Sequence, residues 1–308
     1  MNSALARRAS KCRRVSPIWR IRGGDVRLSF IIPAKNEAGG LSRLLPGLRA
    51  AYPKAQIIVS DDGSTDSTPS VAREAGVEVV SSPYSMGNGA AIKRGVRVAT
   101  GDILVMMDGD GQHLTEDVDS LLRRLGDGFD MVVGARNREG QANVGRGLAN
   151  ALYNRLASWM TGQMVRDLTS GFRVARADKF REFMHLYPNG FSCPTTSTMA
   201  FFRSGYPVAY VPIDVQKRIG RSHIRPFRDG VRFLLIIFKI ATLYSPVKLF
   251  APTSAAFFLT GLGYYAWTYL TQHRFSNMSL LLFSASVIIF LIGLVSEQIT
   301  NLNYRRMD

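Results

Sequence analysis

Two aspartates separated by one glycine, Asp108-Gly109-Asp110, follow the apolar run Ile103-Leu104-Val105-Met106-Met107. Carboxylates so spaced at a strand end can share a hard divalent cation with a diphosphate, the cation offsetting the charge of both. The letters alone are weak, since Asp and Gly also build turns; the place after an apolar strand gives them weight. A second acidic cluster, Asp61-Asp62-Gly63-Ser64-Thr65-Asp66, ends the run 56–60. Its side chains can accept hydrogen bonds from a base or a ribose, while Ser64 or Asp66 can cap the helix that follows. Capping is the better reading for Asp66. Pro33-Ala34-Lys35-Asn36-Glu37 closes the first apolar run, so three polar strand ends can converge on one crevice. No Ser-His-Asp or Cys-His set can be argued from spacing. Cys12 and Cys193 stand far apart and the four histidines are scattered, which gives neither a disulfide framework nor a zinc site.

The elements that must position these residues alternate in type. Residues 28–33, 56–60, 77–81, 102–107 and 131–134 read as short strands, and 38–51, 67–75, 88–99 and 117–125 as amphipathic helices between them. This βαβα rhythm predicts an α/β domain with a mostly parallel sheet covered on both faces. Polar residues cluster just after the apolar runs, at the carboxyl ends of strands, where open α/β sheets bind ligands. Beyond, 144–161 reads as a long helix, 179–186 as a shorter one and 208–213 as a strand.

The chain carries 39 Lys and Arg against 23 Asp and Glu, a formal net charge of +16, which favours an anionic partner. Nucleic acid is not expected, because no recognition motif and no basic face with interleaved aromatics appears. Residues 1–24 form a basic arm without the apolar stretch of a signal peptide; it is expected to be disordered, either a solvated tail or an arm on anionic lipid. Residues 249–272 and 275–296 carry no charge, and each can cross a hydrocarbon core that needs about 20 residues. Two spanning helices joined by a short turn would put both chain ends on one side, and Arg305 and Arg306 make that side cytoplasmic. Residues 225–244 mix Arg225, Arg228, Arg232 and Lys239 with Phe, Leu and Ile, as interfacial helices do. The domain plan is therefore an arm over 1–24, a catalytic domain over 25–224, interfacial helices over 225–244, and a hairpin with a cytoplasmic tail over 245–308.

Ile31-Ile32-Pro33-Ala34-Lys35-Asn36-Glu37, Asp61-Asp62-Gly63-Ser64 and Asp108-Gly109-Asp110-Gly111-Gln112-His113, in this order and spacing, resemble the motifs of family 2 of the inverting glycosyltransferases, which have the GT-A fold. The resemblance covers roughly residues 28–224. It implies that Pro33, Ala34, Glu37 and Asp62 hold the nucleotide, that Asp108 and Asp110 engage the sugar diphosphate and a magnesium or manganese ion, and that Asp110, Gln112 and Arg218 serve the reacting centre. Gly134-Ala135-Arg136, Arg146, Thr169-Ser170-Gly171-Phe172-Arg173 and Arg218-Ile219-Gly220-Arg221-Ser222 narrow the resemblance to polyprenyl-phosphate glycosyltransferases of the dolichol-phosphate mannosyltransferase type. By it Arg136, Arg146, Asn150 and Arg173 would meet the acceptor phosphate, and Arg218 with Ser222 would close over the donor. Arginine suits phosphate because its planar fork pairs with two oxygens. Asn150 stands where such enzymes often have Ser, and His223 where they often have Lys, which leaves His223 only partly charged near neutral pH.

The implied reaction moves a hexose from a nucleotide diphosphate sugar, UDP-glucose or GDP-mannose in class, to undecaprenyl or dolichyl phosphate with inversion, at the cytoplasmic face of a membrane, expected to be a bacterial inner membrane. Self-association into a homo-oligomer is compatible with the sequence. Two other readings remain. A polysaccharide synthase of the same fold usually carries a Gln-x-x-Arg-Trp segment and more membrane helices. A non-catalytic nucleotide-sugar-binding scaffold would not need Asp108, Asp110, Gln112 and Arg218 together.

Overall fold

A computed structural model describes residues 20–21, 24–109, 115–136, 144–190, 193–214, 238, 242 and 244–305, with the backbone alone for 20–25, 115–116, 144–150 and 303–305. In chain order the strands are β1 (Arg20–Ile21), β2 (Gly24–Asp25), β3 (Leu28–Ala34), β4 (Gln56–Asp61), β5 (Glu78–Ser81), β6 (Ile103–Met106), β7 (Met131–Arg136), β8 (Arg173–Arg176) and β9 (Val208–Ile213). The helices are α1 (Ala38–Ala51), α2 (Thr68–Glu74), α3 (Asn88–Val98), α4 (Thr115–Gly126), α5 (Val144–Thr161), α6 (Ala177–Glu182), α7 (Cys193–Arg203), α8 (Pro246–Gln272) and α9 (Asn277–Arg305). They fall into two compact units: the sheet with α1–α4 and α6, and a helical unit of α5, nearly all of α7, α8 and α9.

The first unit is the expected α/β domain. Its sheet runs β5-β4-β3-β6-β8-β7-β9 and is parallel except where β8 lies antiparallel to β6 and β7. Leu28 to Ile32 and all of β6 are buried, as strands covered on both faces must be. Phe30, Ile32, Leu41, Leu45, Leu48, Val105, Leu121 and Leu125 form the middle of the core. The chain passes from β3 outward to β4 and β5, then returns to place β6 on the other side of β3, so the order reverses between β3 and β6. Ligands of open α/β sheets bind outside the carboxyl ends at such a reversal.

Pro33 sits in a central strand, which usually excludes proline because it has no N–H to give the ladder. Here the β3–β6 pairing ends at Ile31 and Met106, with the Ile31 carbonyl accepting from the Met107 N–H at 3.2 Å. Strand alternation turns Pro33 to the same side two residues later, where no donor is required. On the other side pairing with β4 continues to Ala34 and Asp61. The two central strands therefore part just before Asp108.

Strand β8 and helix α7 are elements that the periodicity does not reveal. β8 is four residues with arginine at both ends, and α7 opens Cys-Pro-Thr-Thr-Ser-Thr, a run of poor helix formers. α6 ends at Glu182, short of the expected 186.

In the second unit the hairpin is present, with helices longer than the charge-free runs. Among the described residues one helix, over Asn277–Leu302, is long and apolar enough to cross a membrane by itself. α8 carries Ser, Thr, Tyr, Gly and Pro residues that lower its hydropathy. The buried residues of α8 include Ser254, Gly261 and Thr268, and those of α9 include Ser279, Ser286, Gly293 and Thr300, each set at a spacing of seven. Small residues in a seam let two helices approach closely. Across it Ser254 Oγ donates to the Ser286 carbonyl at 2.9 Å and Ser286 Oγ to the Ser254 carbonyl at 3.0 Å. The interfacial helices expected over 225–244 lie outside the described residues except at 238, 242 and 244.

Tyr52 closes the α1 end of the core. Its ring lies 5.0 Å from that of Phe30, and its hydroxyl donates to Asp119 at 2.6 Å. Burial first and the Asp119 hydrogen bond second push the phenol well above its ordinary pKa. Tyr52→Phe is expected to cost roughly 1 kcal/mol, the worth of one such bond, and Tyr52→Ala roughly 3–5 kcal/mol from the lost ring. Denaturation midpoints of the two variants in detergent check the ordering; equal midpoints would show that the ring packing contributes little.

Candidate active site

The polar residues after β3 and β4 are laced into one rim. The Asp62 N–H donates to the Ala34 carbonyl at 2.9 Å, and the Asn36 N–H donates to Ser64 Oγ at 2.9 Å. Asn36 Oδ1 accepts from the Thr65 N–H at 2.8 Å, and the Glu37 N–H donates to Thr68 Oγ1 at 2.9 Å. Asp66 accepts from the N–H groups of Thr68 and Ala38, the first residues of α2 and α1, at 2.9 and 3.4 Å. Capping is thus what Asp66 does, for two helices at once.

Asp62 faces inward on the same rim and is buried. Its carboxylate accepts from Ser85 Oγ at 2.7 Å, the Met86 N–H at 2.8 Å and the Gly87 N–H at 2.9 Å. Burial alone would raise this carboxyl; those bonds and the charge of Lys35 outweigh it and hold the group below its ordinary value. Gly63, next in sequence, has φ +67°, and a Cβ there would stand 2.7 Å from the Tyr84 carbonyl carbon. The Asp62-Gly63 pair therefore fixes the turn through residues 84–87. Arg94 donates to the Asp61 carbonyl at 3.1 Å, adding a cation beside the rim.

Asp108 follows β6 where β3 and β6 part. A Cβ at Gly171 would lie 2.7 Å from Asp108 Oδ2 and 2.9 Å from Oδ1, so the backbone just before β8 runs directly against this carboxylate. Arg173 is buried, and its guanidinium donates to the Ser170 carbonyl. The register explains the meeting, since Arg173 pairs with Met106 across β6–β8, and the Gly134 N–H donates to the Phe172 carbonyl at 2.9 Å.

The fold gathers Pro33, Ala34, Glu37, Asp62 and Asp108 at one edge of the sheet. Arg136 ends β7, opposite Ile213 of β9. Arg146 and Asn150 lie on α5, in the other unit, and only their backbone is described. Asp110, Gln112, Arg218, Ser222 and His223 lie outside the described residues. Among the described residues no group of three His, Cys, Asp or Glu is placed to hold a metal. Cys193 is no nucleophile at neutral pH, because burial pushes its thiol up to about 12.

Three contributors escaped the sequence reading: Arg94, Lys93 and Gly171 as the floor beneath Asp108. Lys93 donates to the Tyr187 carbonyl at 2.9 Å and to Asn189. The N–H groups of Gly89 and Ala90 donate to the carbonyls of Gly190 and Asn189 at 3.2 and 2.8 Å. The α3 N-terminus is thus occupied by chain rather than open to a phosphate. The Gly87-Asn88-Gly89 spacing marks the approach, but nothing in sequence shows that the segment 188–190 is what comes close.

Residues 29–184 match the family described as Glycosyl transferase family 2, and residues 245–302 match the GtrB C-terminal hairpin. The chain belongs to glycosyl transferase family 2. This family 2 enzyme is 28% identical over 215 residues to a dolichyl-phosphate hexose transferase of Haloferax volcanii, covering 69% of the chain and 93% of the relative. It is 32% identical over 215 residues to an undecaprenyl-phosphate mannosyltransferase of Micrococcus luteus, covering 64% and 87%. Among solved structures it resembles glucosyl-3-phosphoglycerate synthase of Mycobacterium tuberculosis in complex with Mn2+ and UDP-glucose, with a TM-score of 0.57, 25% identity, and 74% of this chain and 84% of that one covered. The family 2 enzyme is thus an inverting glycosyltransferase with the GT-A fold, followed by a helix hairpin.

Two outcomes test the site. Gly171→Ala pushes a methyl group into the Asp108 carboxylate, so kcat is expected to fall on the order of tenfold or more while the fold persists, an effect of misplacement at a reacting centre; wild-type turnover would show that Asp108 needs no fixed place. Asp62 and Asp66 both have folded pKa values below their unfolded ones. Their contribution to stability is then fully present above the unfolded value of about 3.9 and is lost as pH falls through the folded values. Asp62→Asn should lower stability at neutral pH and flatten its loss below about pH 4. A pH–unfolding profile parallel to the wild type would remove the turn-holding role.

Proposed function

We propose that this family 2 enzyme transfers a hexose from a nucleotide diphosphate sugar, of the UDP-glucose or GDP-mannose class, to a polyprenyl phosphate at the cytoplasmic surface of a membrane, with inversion. The observation that carries the reading is the joining of a family 2 domain, with Asp108 at the reversal of the sheet, to a GtrB-type hairpin on one chain. The named activities of the Haloferax and Micrococcus relatives support the acceptor class.

In this reading Pro33, Ala34, Glu37 and Asp62 form the nucleotide end, Asp62 by holding the turn 84–87 beside the base. Asp108 is a hard oxygen donor at a strand end, which fits magnesium or manganese, with Asp110 as its companion. Such an ion supplies charge neutralisation to the departing diphosphate. Gln112, Arg218 and Ser222 complete the donor side. The acceptor phosphate is largely dianionic at neutral pH, its second pKa being about 6, so it attacks the anomeric carbon without a strong general base. The nucleoside diphosphate leaves as the new bond forms. Arg136, Arg146 and Asn150 hold the acceptor in line. Arg173, buried against the Ser170 carbonyl, acts through the backbone that meets Asp108 rather than by touching the lipid.

The hairpin as a whole crosses the membrane in this reading, although only α9 is apolar enough alone. The least lipid-compatible groups of α8 are satisfied inside the protein: Ser254 across the seam, and Thr253, Thr260, Thr268 and Thr271 at carbonyls one turn back, 2.7–3.1 Å away. Both chain ends then share one side.

Purified enzyme incubated with polyprenyl phosphate and a panel of nucleotide sugars identifies the donor, and lipid-linked sugar is the expected product. Arg136→Ala and Arg146→Ala should each raise KM for polyprenyl phosphate on the order of ten- to a hundredfold, the worth of a charge-assisted pair of about 1.5–3 kcal/mol. KM for the donor should barely move, and Lys should rescue only in part. An effect confined to the donor would remove both arginines from the acceptor site.

A further inference from the structure

Among the described residues of the second unit four large apolar side chains stand exposed outside the hairpin, Phe238 at 49% just before it, and Leu152 at 63%, Trp159 at 50% and Met164 at 72% on α5 or just after it. On α5, Leu152, Arg155 and Trp159 fall within a sector of about 60° at 3.6 residues per turn. Tyr153, Ala157 and Met160, on the opposite side of the helix, are buried. Met164 and the exposed Arg166 follow in a segment pinned back onto α5. There Asn154 Nδ2 donates to the Arg166 carbonyl at 2.7 Å, the Val165 N–H donates to Ser158 Oγ at 2.9 Å, and the Leu168 N–H donates to Asn154 Oδ1 at 3.1 Å. The result is a fixed face of one indole, two aliphatic chains and two guanidinium groups.

The hairpin tells what covers that face. Lys248, in the first turn of α8, donates to the Met160 carbonyl at 2.8 Å and the Trp159 carbonyl at 3.4 Å, and Ser245 Oγ reaches the Met160 carbonyl at 3.4 Å. A cation on the last carbonyls of a helix is favoured by its dipole. Trp159 therefore stands level with the point where α8 begins, which is where a spanning hairpin leaves the aqueous phase. Single exposed apolar residues are ordinary, but an indole with aliphatic chains ringed by Arg155, Arg166 and Lys248 suits a layer that is half apolar and carries negative charge. A second copy of the chain would set these cations against their own kind.

We infer that this face of α5 and residues 162–166 lies in the headgroup layer and takes anionic lipid, a membrane contact additional to the hairpin. The inference rests on the reading that the hairpin crosses the membrane. It also holds α5, the helix of Arg146, at the depth where a lipid phosphate sits.

The three tryptophans allow a test in the full chain. Trp19→Phe with Trp267→Phe leaves Trp159 as the reporter, and Trp19→Phe with Trp159→Phe leaves Trp267 in the hairpin. Each variant is reconstituted in vesicles of equal phosphatidylcholine and phosphatidylglycerol, with nitroxide lipids labelled near the headgroup or near the bilayer centre. The Trp159 emission should be quenched most by the shallow label and shielded from aqueous acrylamide, and Arg155→Glu with Arg166→Glu should at least halve the shallow quenching. Quenching by acrylamide with no lipid effect would overturn the inference. So would shielding from both quenchers, which means a protein partner, or stronger quenching by the deep label. In each case quenching of Trp267 by lipid shows that the hairpin reading stands, and its absence shows that the hairpin reading has failed first.

Discussion

The site depends on a hydrogen bond that cannot form. Pro33 has no N–H to offer on the side of β3 that faces β6, and the ladder between them stops at Ile31 and Met106. Two strands that stay paired to their ends leave no room for a ligand at their junction. Here the pairing with β4 runs on to Asp61 while the pairing with β6 is released, so one rim stays rigid and the other opens beside Asp108. β8 then meets β6 antiparallel and brings Gly171 against the carboxylate. A parallel neighbour would have delivered the start of its strand to the opposite edge of the sheet.

Around that opening the protein satisfies its own acids before any ligand arrives. Asp66 serves two helix starts and Asp62 accepts three bonds from the turn 84–87. Bonds from backbone and hydroxyl groups hold each carboxyl below its ordinary value against the opposing effect of burial, which makes it a fixed brace. A preorganised rim loses little freedom on binding. The division among neighbouring aspartates follows: Asp62 and Asp66 shape the crevice, and Asp108 stands at the reversal of the sheet.

The sheet was legible because its strands are apolar runs of ordinary length separated by helices of matching period, and the three motifs fall at strand ends by that pattern alone. Asp66 could be read as a cap because its spacing to the next helix is local. What escaped is what depends on distant chain. Lys93 and Gly89 take their meaning from residues 187–190, and Gly171 from Asp108; no local pattern announces such partners. β8 escaped because four residues flanked by arginine carry too little hydrophobic signal. The burial of Arg173 likewise comes from its place opposite Met106 in the register of an antiparallel strand, which its own segment does not announce.

The hairpin shows the same limit in another form. Hydropathy averages over a helix, whereas lipid meets only one face of it. α8 falls below α9 in mean hydropathy because of Pro252 and its Thr, Gly and Tyr residues, while both helices commit small residues to the seam, Ser254, Gly261 and Thr268 on one side and Ser279, Ser286, Gly293 and Thr300 on the other. In that seam the hydroxyls of Ser254, Ser286, Thr268 and Thr300 bond within the protein, and those of Thr253, Thr260 and Thr271 bond to a carbonyl of their own helix. The base of the pair is tied as firmly: Arg203 of α7 meets Glu297 at 3.0 Å and Asn301 at 2.8 Å on α9, and Tyr244 Oη donates to the Thr196 carbonyl at 2.9 Å. Since Lys248 caps α5 from the other helix of the hairpin, α5 and α7 are parts of the anchor as much as of the glycosyltransferase.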